Sequence, residues 1–234
     1  MNTQFIKGLS IDWKRIAPYS YLREREAVHE LKSLEFTRPI TFYVREDGSG
    51  KSTVQEAIAI AAENNPEGRS RNYHFSTFDS HSELCEAIRL MRRCNRPGWG
   101  YFLRAESFYN VATKEMDYAD ADHPSQKYHE KSHGESFLTL AQNQFRPHGL
   151  YLLDEPEAAL SPQRQLTLLI NIHECAKAGA QFFIVTHSPI LLGMPEAEIL
   201  TFDEGKLHSC DSEETSSYQI TELYITNRKQ LLER

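Results

Sequence analysis

Cysteine is scarce in this chain. The four present among 234 residues, Cys85, Cys94, Cys175 and Cys210, lack metal-type spacing. With no export signal in view they are expected as reduced thiols. No apolar run approaches the ~20 residues of a membrane span. Met1 to Lys14 holds no signal-peptide core, which predicts a cytoplasmic protein. Positive charge is also in short supply: 26 Lys and Arg stand against 33 Asp and Glu, a net charge of −7. That argues against a dominant nucleic-acid surface and leaves room only for a local basic patch. There is no internal repeat, and no heptad segment long enough for a coiled-coil arm. What is plentiful is core material, with 40% hydrophobic and 11% aromatic residues. A chain of this length and composition reads as one large domain, or one domain with a small insertion.

Residues 1–39 read as a β-rich edge, with 22–32 as an alternative short helix. A strand and helix follow at about 40–63, and the breakers Asn64-Asn65-Pro66-Glu67-Gly68 end that helix. Ser80 to Met91 reads as a further helix, with Leu84, Ala87, Ile88 and Met91 on one face. Tyr101-Phe102-Leu103 is a short strand, and 113–131 is a polar, exposed loop. Alternation is then clear: a helix from about 135, strand 149–153, helix 162–177, strand 181–186, a short helix near 189–192, and strands near 198–202 and 205–210. Fully apolar strands between amphipathic helices predict an α/β fold, a mostly parallel sheet covered on both faces.

Four segments carry chemistry. The first is Glu46-Asp47-Gly48-Ser49-Gly50-Lys51-Ser52-Thr53, between the apolar run Ile40 to Val44 and a helical stretch. Glycines let backbone N–H groups converge on phosphate, and the helix N-terminus adds about half a positive charge. Lys51 reaches the terminal phosphates and Ser52 can place a hydroxyl on Mg2+. The second is Leu152-Leu153-Asp154-Glu155-Pro156, where an apolar strand delivers two carboxylates at its C-terminal end. Asp154 is suited to Mg2+ and Glu155 to polarising water, and strand alternation separates their roles. The third is Val185-Thr186-His187-Ser188-Pro189, another strand end, with His187 able to bond a γ-phosphate or the attacking water. The fourth, Ser132-His133-Gly134-Glu135-Ser136, opens a helix and suits an anion, although an ordinary helix cap has the same appearance.

Together these segments resemble the ATP-binding-cassette (ABC) ATPases, P-loop NTPases in which they are the Walker A, Walker B, switch-histidine and signature motifs. Glu157-Ala158-Ala159-Leu160-Ser161 occupies the D-loop position. The Asp-Glu-Pro-Glu-Ala-Ala-Leu and Thr-His-Ser-Pro-Ile-Leu wording is more similar to soluble AAA-family ATPases, compact relatives of DNA-repair and SMC-type heads without the coiled coil. A small bacterial group of them also carries Phe-Leu-Arg-Ala-Glu-Ser, here residues 102–107. The resemblance spans about residues 40–203. It implies a single domain over 1–234, with an N-terminal antiparallel β portion (1–39), a Walker A and helical region (40–112), the loop 113–131, a core with signature, Walker B and switch histidine (132–203), and a C-terminal tail (204–234).

The resemblance also implies ATP and Mg2+ as ligands and a head-to-tail homodimer that closes on two ATP molecules. Asp47, Gly48, Ser49, Gly50, Lys51, Ser52 and Thr53 would contact the nucleotide, with Thr53 at the α-phosphate. Ser132, Gly134 and Glu135 would do so in trans. Ser52 and Asp154 would hold the metal, and Lys51, Glu155 and His187 would be catalytic. No glutamine stands where the family's glutamine loop belongs. Glu106 is the substitute metal contact, or else a local ion-pair partner of Arg104. Tyr19 or Tyr21 would stack on adenine or simply pack. Arg45 and Asp47 replace the usual glycine and asparagine of the phosphate loop, which predicts weakened MgATP binding. Arg89, Arg92, Arg93 and Arg96, near Trp99, form either a phosphate-backbone grip or the solvated face of a helix interleaved with Glu83 and Glu86. Two rival functions stand beside an ATPase switch: a nucleotide-gated interaction module with little hydrolysis, and the ATP-binding subunit of a transporter. The partner, protein or nucleic acid, is left open, since DNA maintenance, phage defence and enzyme regulation all fit a bare head.

Overall fold

The computed structural model describes residues 4–44, 51–62, 82–104, 133–202 and 206–232. Its centre is β3, Ile40–Val44, whose five residues are all buried. Aromatic and β-branched side chains in sequence suit a strand covered on both faces. Parallel to it run β7 (Gln181–Val185) on one side and β8 (Glu198–Thr201) on the other. Beyond β7 lie β6 (Gly149–Asp154) and β5 (Trp99–Arg104), also parallel. The short β9, His208–Ser209, closes the far edge antiparallel to β8, giving the order β5-β6-β7-β3-β8-β9.

Alternation along each strand feeds two cores. Leu150 and Leu152 of β6, with Phe183 and Val185 of β7, join Val54, Ala57 and Ile58 of helix α2 (Lys51–Ala61). Tyr151 and Leu153, with Phe182 and Ile184, join helix α4 (His133–Gln144) through Phe137 and Leu140, and helix α5 (Pro162–Lys177) through Leu168 and Ile172. Both faces of the sheet are thus covered, as the apolar runs predict. Two short helices complete the chain's first part, α1 (Glu26–His29) and α3 (Leu84–Ala87). Another, α6 (Pro189–Leu192), follows β7.

A second, antiparallel sheet has the order β2-β1-β4, with β1 at Ile6–Ile11, β2 at Ser33–Glu35 and β4 at Ile88–Arg92. Here the structure corrects the sequence reading. The helix expected over 80–91 is only the four residues of α3, after which the chain turns extended and pairs Ile88 with Ile11 and Leu90 with Leu9. The apolar positions fit both periods, and the open edge of β1 decides for the strand.

Gln181 joins the two sheets. Buried at 0% exposure, its Oε1 accepts from the N–H groups of Phe5 (2.8 Å) and Ile6 (2.9 Å), and its Nε2 donates to the Ile6 carbonyl (2.8 Å). Gln181→Leu strands three buried backbone groups. At about 1–3 kcal/mol for each unsatisfied group, less what local relaxation recovers, urea denaturation should show a loss of about 3 kcal/mol.

In the C-terminal tail, where the sequence reading assigned no element past residue 210, Ser216–Leu232 forms a helix, α7. None of its residues is buried, and Ile220, Leu223, Tyr224, Ile225, Leu231 and Leu232 are exposed. With apolar residues spread around it rather than on one stripe, it carries little helical period to read. Asn227 leaves helical geometry at φ −121° and ψ 17°, its side-chain amide donating to the Leu223 carbonyl at 3.3 Å. That side chain competes with the backbone ladder and kinks the helix.

Candidate functional site at the strand ends

The order β6-β7-β3 brings three strand ends side by side, and a motif residue closes or follows each. Lys51 and Ser52 open α2 after β3, Asp154 closes β6, and His187 follows β7. Ser52 Oγ lies 3.4 Å from Asp154 Oδ1, joining the first and second motifs across 102 residues. The other carboxylate oxygen, Oδ2, is 3.3 Å from Arg104 Nε at the end of β5. The Arg104 guanidinium also holds Glu56 Oε2 at 2.7 Å. Burial pushes the Asp154 carboxyl up to about 6, a rise that Arg104 and Ser52 only partly offset.

A second anchor fixes this corner. Gln55, fully buried one turn after Ser52, donates from Nε2 to the carbonyls of Leu153 (2.8 Å) and Phe183 (2.9 Å). The amide therefore ties the start of α2 to β6 and β7 just before their functional ends.

Glu155 is left-handed, at φ 49° and ψ 51°, and its N–H donates to the Val185 carbonyl at 2.9 Å. Strand alternation does not separate the two carboxylates as expected. The strand stops at Asp154 and the backbone turns, so Glu155 leaves the sheet. A non-glycine residue in this region is strained by roughly 1–3 kcal/mol, the kind of strain found at functional sites. The turn places Glu155 Oε1 3.8 Å from His187 Nε2, with both side chains partly exposed to one space. Two residues on, Glu157 Oε1 accepts the backbone N–H of His187 at 2.6 Å. Ser188 caps α6 through its hydroxyl oxygen and donates to Gln165 Oε1 at 2.6 Å. The histidine loop is thus held from both sides.

The signature segment is also packed. Gly134 is buried at the start of α4. A Cβ there would stand 2.6 Å from the Ala159 carbonyl and 2.9 Å from the Arg164 guanidinium. Glu135 pairs with Arg164 at 2.8 Å. The glycine is needed for close approach to the 3-10 turn Pro156–Ala159 that carries Glu157. Gly134→Ala should push α4 away from that turn. Such overpacking costs about 1–3 kcal/mol, to be read as a lower melting temperature.

Arg45, Asp47, Gly48, Ser49, Gly50, Glu106 and Ser132 lie outside the described residues, as does the loop 113–131. Of Lys51, only its place as the first residue of α2 is described. Thr53 follows Ser52 in the first turn of that helix. Tyr19 is 90% exposed, against packing as its role. Tyr21 donates to Ser82 Oγ at 3.2 Å. The sequence reading missed Arg104, Gln55 and Glu157 as site residues. Gln55 had one signal, a polar side chain among the apolar positions Val54, Ala57 and Ile58.

The donor set suits Mg2+. A hard cation that keeps much of its water needs one or two carboxylates and oxygen donors from substrate phosphates. Ser52 and Asp154 supply one hydroxyl and one carboxylate already in contact. Burial has left that carboxylate short of compensation, which a cation provides. Among the described residues no group of three or more His, Cys, Asp or Glu forms an all-protein metal cage.

A family described as "AAA domain, putative AbiEii toxin, Type IV TA system" matches residues 108–193. No curated protein matches. Among solved structures, cbiO1 from Clostridium perfringens, described as part of the ABC transporter complex cbiONQ, is similar at 13% identity. That match covers 99% of this chain and 100% of the other, with a TM-score of 0.50. The SMC head domain from Thermotoga maritima is similar at 14% identity over 89% of this chain and 99% of that one, with a TM-score of 0.48. At such identities likeness speaks for the fold. With its strand order, the chain has the fold of the ABC-type P-loop ATPases, which it resembles.

Proposed function

We propose that this protein binds and hydrolyses ATP with Mg2+, as a homodimer that closes on nucleotide and acts as a conformational switch on a partner. The observation that carries the reading is the junction of Ser52 with Asp154, 3.4 Å apart, beside the pair Glu155 and His187. Two motifs distant in sequence meet where a nucleotide-bound cation needs them, and a base and an imidazole face the adjoining space.

In this reading the N-terminus of α2, with Lys51, binds the phosphates, and Ser52 and Asp154 hold the cation. Bound there, Mg2+ would neutralise charge on the β- and γ-phosphates. Glu155 orients the attacking water and takes its proton as the oxygen bonds to γ-phosphorus and the β–γ bridging bond breaks. His187, held by Glu157, donates to a γ-phosphate oxygen. Gln55 keeps the base of the site rigid. Such a site works by positioning and electrostatics. Gly134 and Glu135, beside Ser132, would meet the partner subunit's nucleotide.

The matched family over residues 108–193 favours a defence setting of toxin–antitoxin type among the possible outputs. No helix among the described residues is long and apolar enough to cross a membrane. Phosphate release measured across MgATP concentrations, with molar mass by light scattering, tests the reading. Saturable turnover and an ATP-dependent dimer are expected. Binding without turnover would point instead to a nucleotide-gated module.

A further inference from the structure

A cavity of about 280 Å3 lies at the opposite end of the domain from Asp154. Leu150, near the start of β6, and Ala62, just past the end of α2, line it. Helix α2 is eleven residues long, so about 15 Å of rise separates that end from the end that holds Ser52. Three arginines, Arg92, Arg93 and Arg96, line the same cavity, and none of its described lining residues is a carboxylate.

That concentration of charge is unusual for a chain of net charge −7. The solvated-helix reading requires carboxylates between the arginines, but Glu83 and Glu86 precede β4 and do not line the cavity. Arg89 leaves the cluster and lies 3.9 Å from Asp12. Trp99 leaves it too, its ring carrying the Arg146 guanidinium at 4.5 Å. Of the three that remain, Arg92 donates to the Ala61 carbonyl at the end of α2. Arg93 Nε is buried with no hydrogen-bond partner among the described residues. Arg96 is exposed at the mouth. The floor is apolar, formed by Phe5, Ile6 and Leu150.

Three guanidinium groups with no carboxylate among the described lining residues repel one another, and a buried Nε–H without an acceptor costs free energy. A phosphate relieves both, because its oxygens accept from forked guanidinium donors. The volume is near the lower end of small-ligand pockets. We infer that this cavity is a second anion site, taking the phosphate of a small organic phosphate against the arginines and its apolar body against the floor.

Adenosine monophosphate is a suitable probe, with adenosine as the phosphate-free control, both titrated calorimetrically in EDTA. Lys51→Ala removes the phosphate-loop lysine, so binding retained in that variant belongs to the second site. Arg96→Gln, at an exposed position, should weaken the retained binding by about tenfold to a hundredfold without lowering the melting temperature. Higher salt should weaken it further. Equal affinity in Arg96→Gln and its parent would overturn the inference. So would loss of binding in Lys51→Ala, adenosine binding as well as the monophosphate, or no binding at millimolar probe. An oligonucleotide that binds more tightly than the monophosphate, with or without a 5′ phosphate, would replace it with a nucleic-acid surface.

Discussion

Glu155→Gln should lower ATP turnover by about 10²–10⁴-fold while leaving nucleotide binding intact, the usual worth of a general base. The substitution isolates the charge. Glutamine has the same shape, keeps the backbone N–H that bonds the Val185 carbonyl, and meets the left-handed backbone at the same cost. The variant should accumulate as an ATP-bound dimer in size-exclusion chromatography, since in the proposed cycle closure needs the phosphates and reopening needs their hydrolysis. Undiminished phosphate release would remove Glu155 from the mechanism and shift attention to His187, 3.8 Å away.

Asp154→Asn should move stability and metal affinity in opposite directions. Burial raises the Asp154 carboxyl from 3.8 to about 6 in the folded protein. A group with a raised folded pKa favours folding below its unfolded value, and that advantage is lost as pH rises through the folded value. In metal-free protein the relative loss therefore develops between about pH 4 and pH 6 and is complete by pH 7. Two pK units correspond to about 3 kcal/mol, with the opposing effects of Arg104 and Ser52 already included in the folded value. Metal-free Asp154→Asn should thus be more stable than the parent at pH 7.5 by up to that amount, and equal to it near pH 4. MgATP should stabilise the parent and do much less for the variant. Urea titrations at the two pH values, with and without MgATP, read both effects. Equal stability at pH 7.5 would show that the ion pair with Arg104 fully compensates the buried charge.

Much of the fold was legible because burial on both faces leaves a plain trace. β6 and β7 carry the apolar runs Leu150 to Leu153 and Phe182 to Val185, β3 is interrupted only by Thr41, and α5 begins where Ser161-Pro162 says it should. Their polar endings, Asp154 and His187, marked the candidate site for the same reason, since a polar residue at or just past the end of a buried strand stands out. What could not be read depends on long-range partners. β4 became a strand because β1 lay beside it, and local periodicity carries no information about β1. Arg104 reaches Asp154 only because β5 neighbours β6 in register. Glu155's direction is set by a backbone turn that letters do not reveal, and α7 lacks the one-sided pattern that helices usually show.

The strand order also bears on how the chain is made. β3 sits in the middle of the sheet, yet both of its neighbours, β7 and β8, come from residues 181–201. β1 waits similarly for Gln181, 175 or more residues downstream. During synthesis the first third of the chain must therefore leave the ribosome with its most hydrophobic strand unpaired. Non-local pairings of this kind fold slowly and expose strand edges to aggregation. The candidate site at the strand ends is among the last features to close, and expression yield should depend on shielding β3 until residue 201 has emerged.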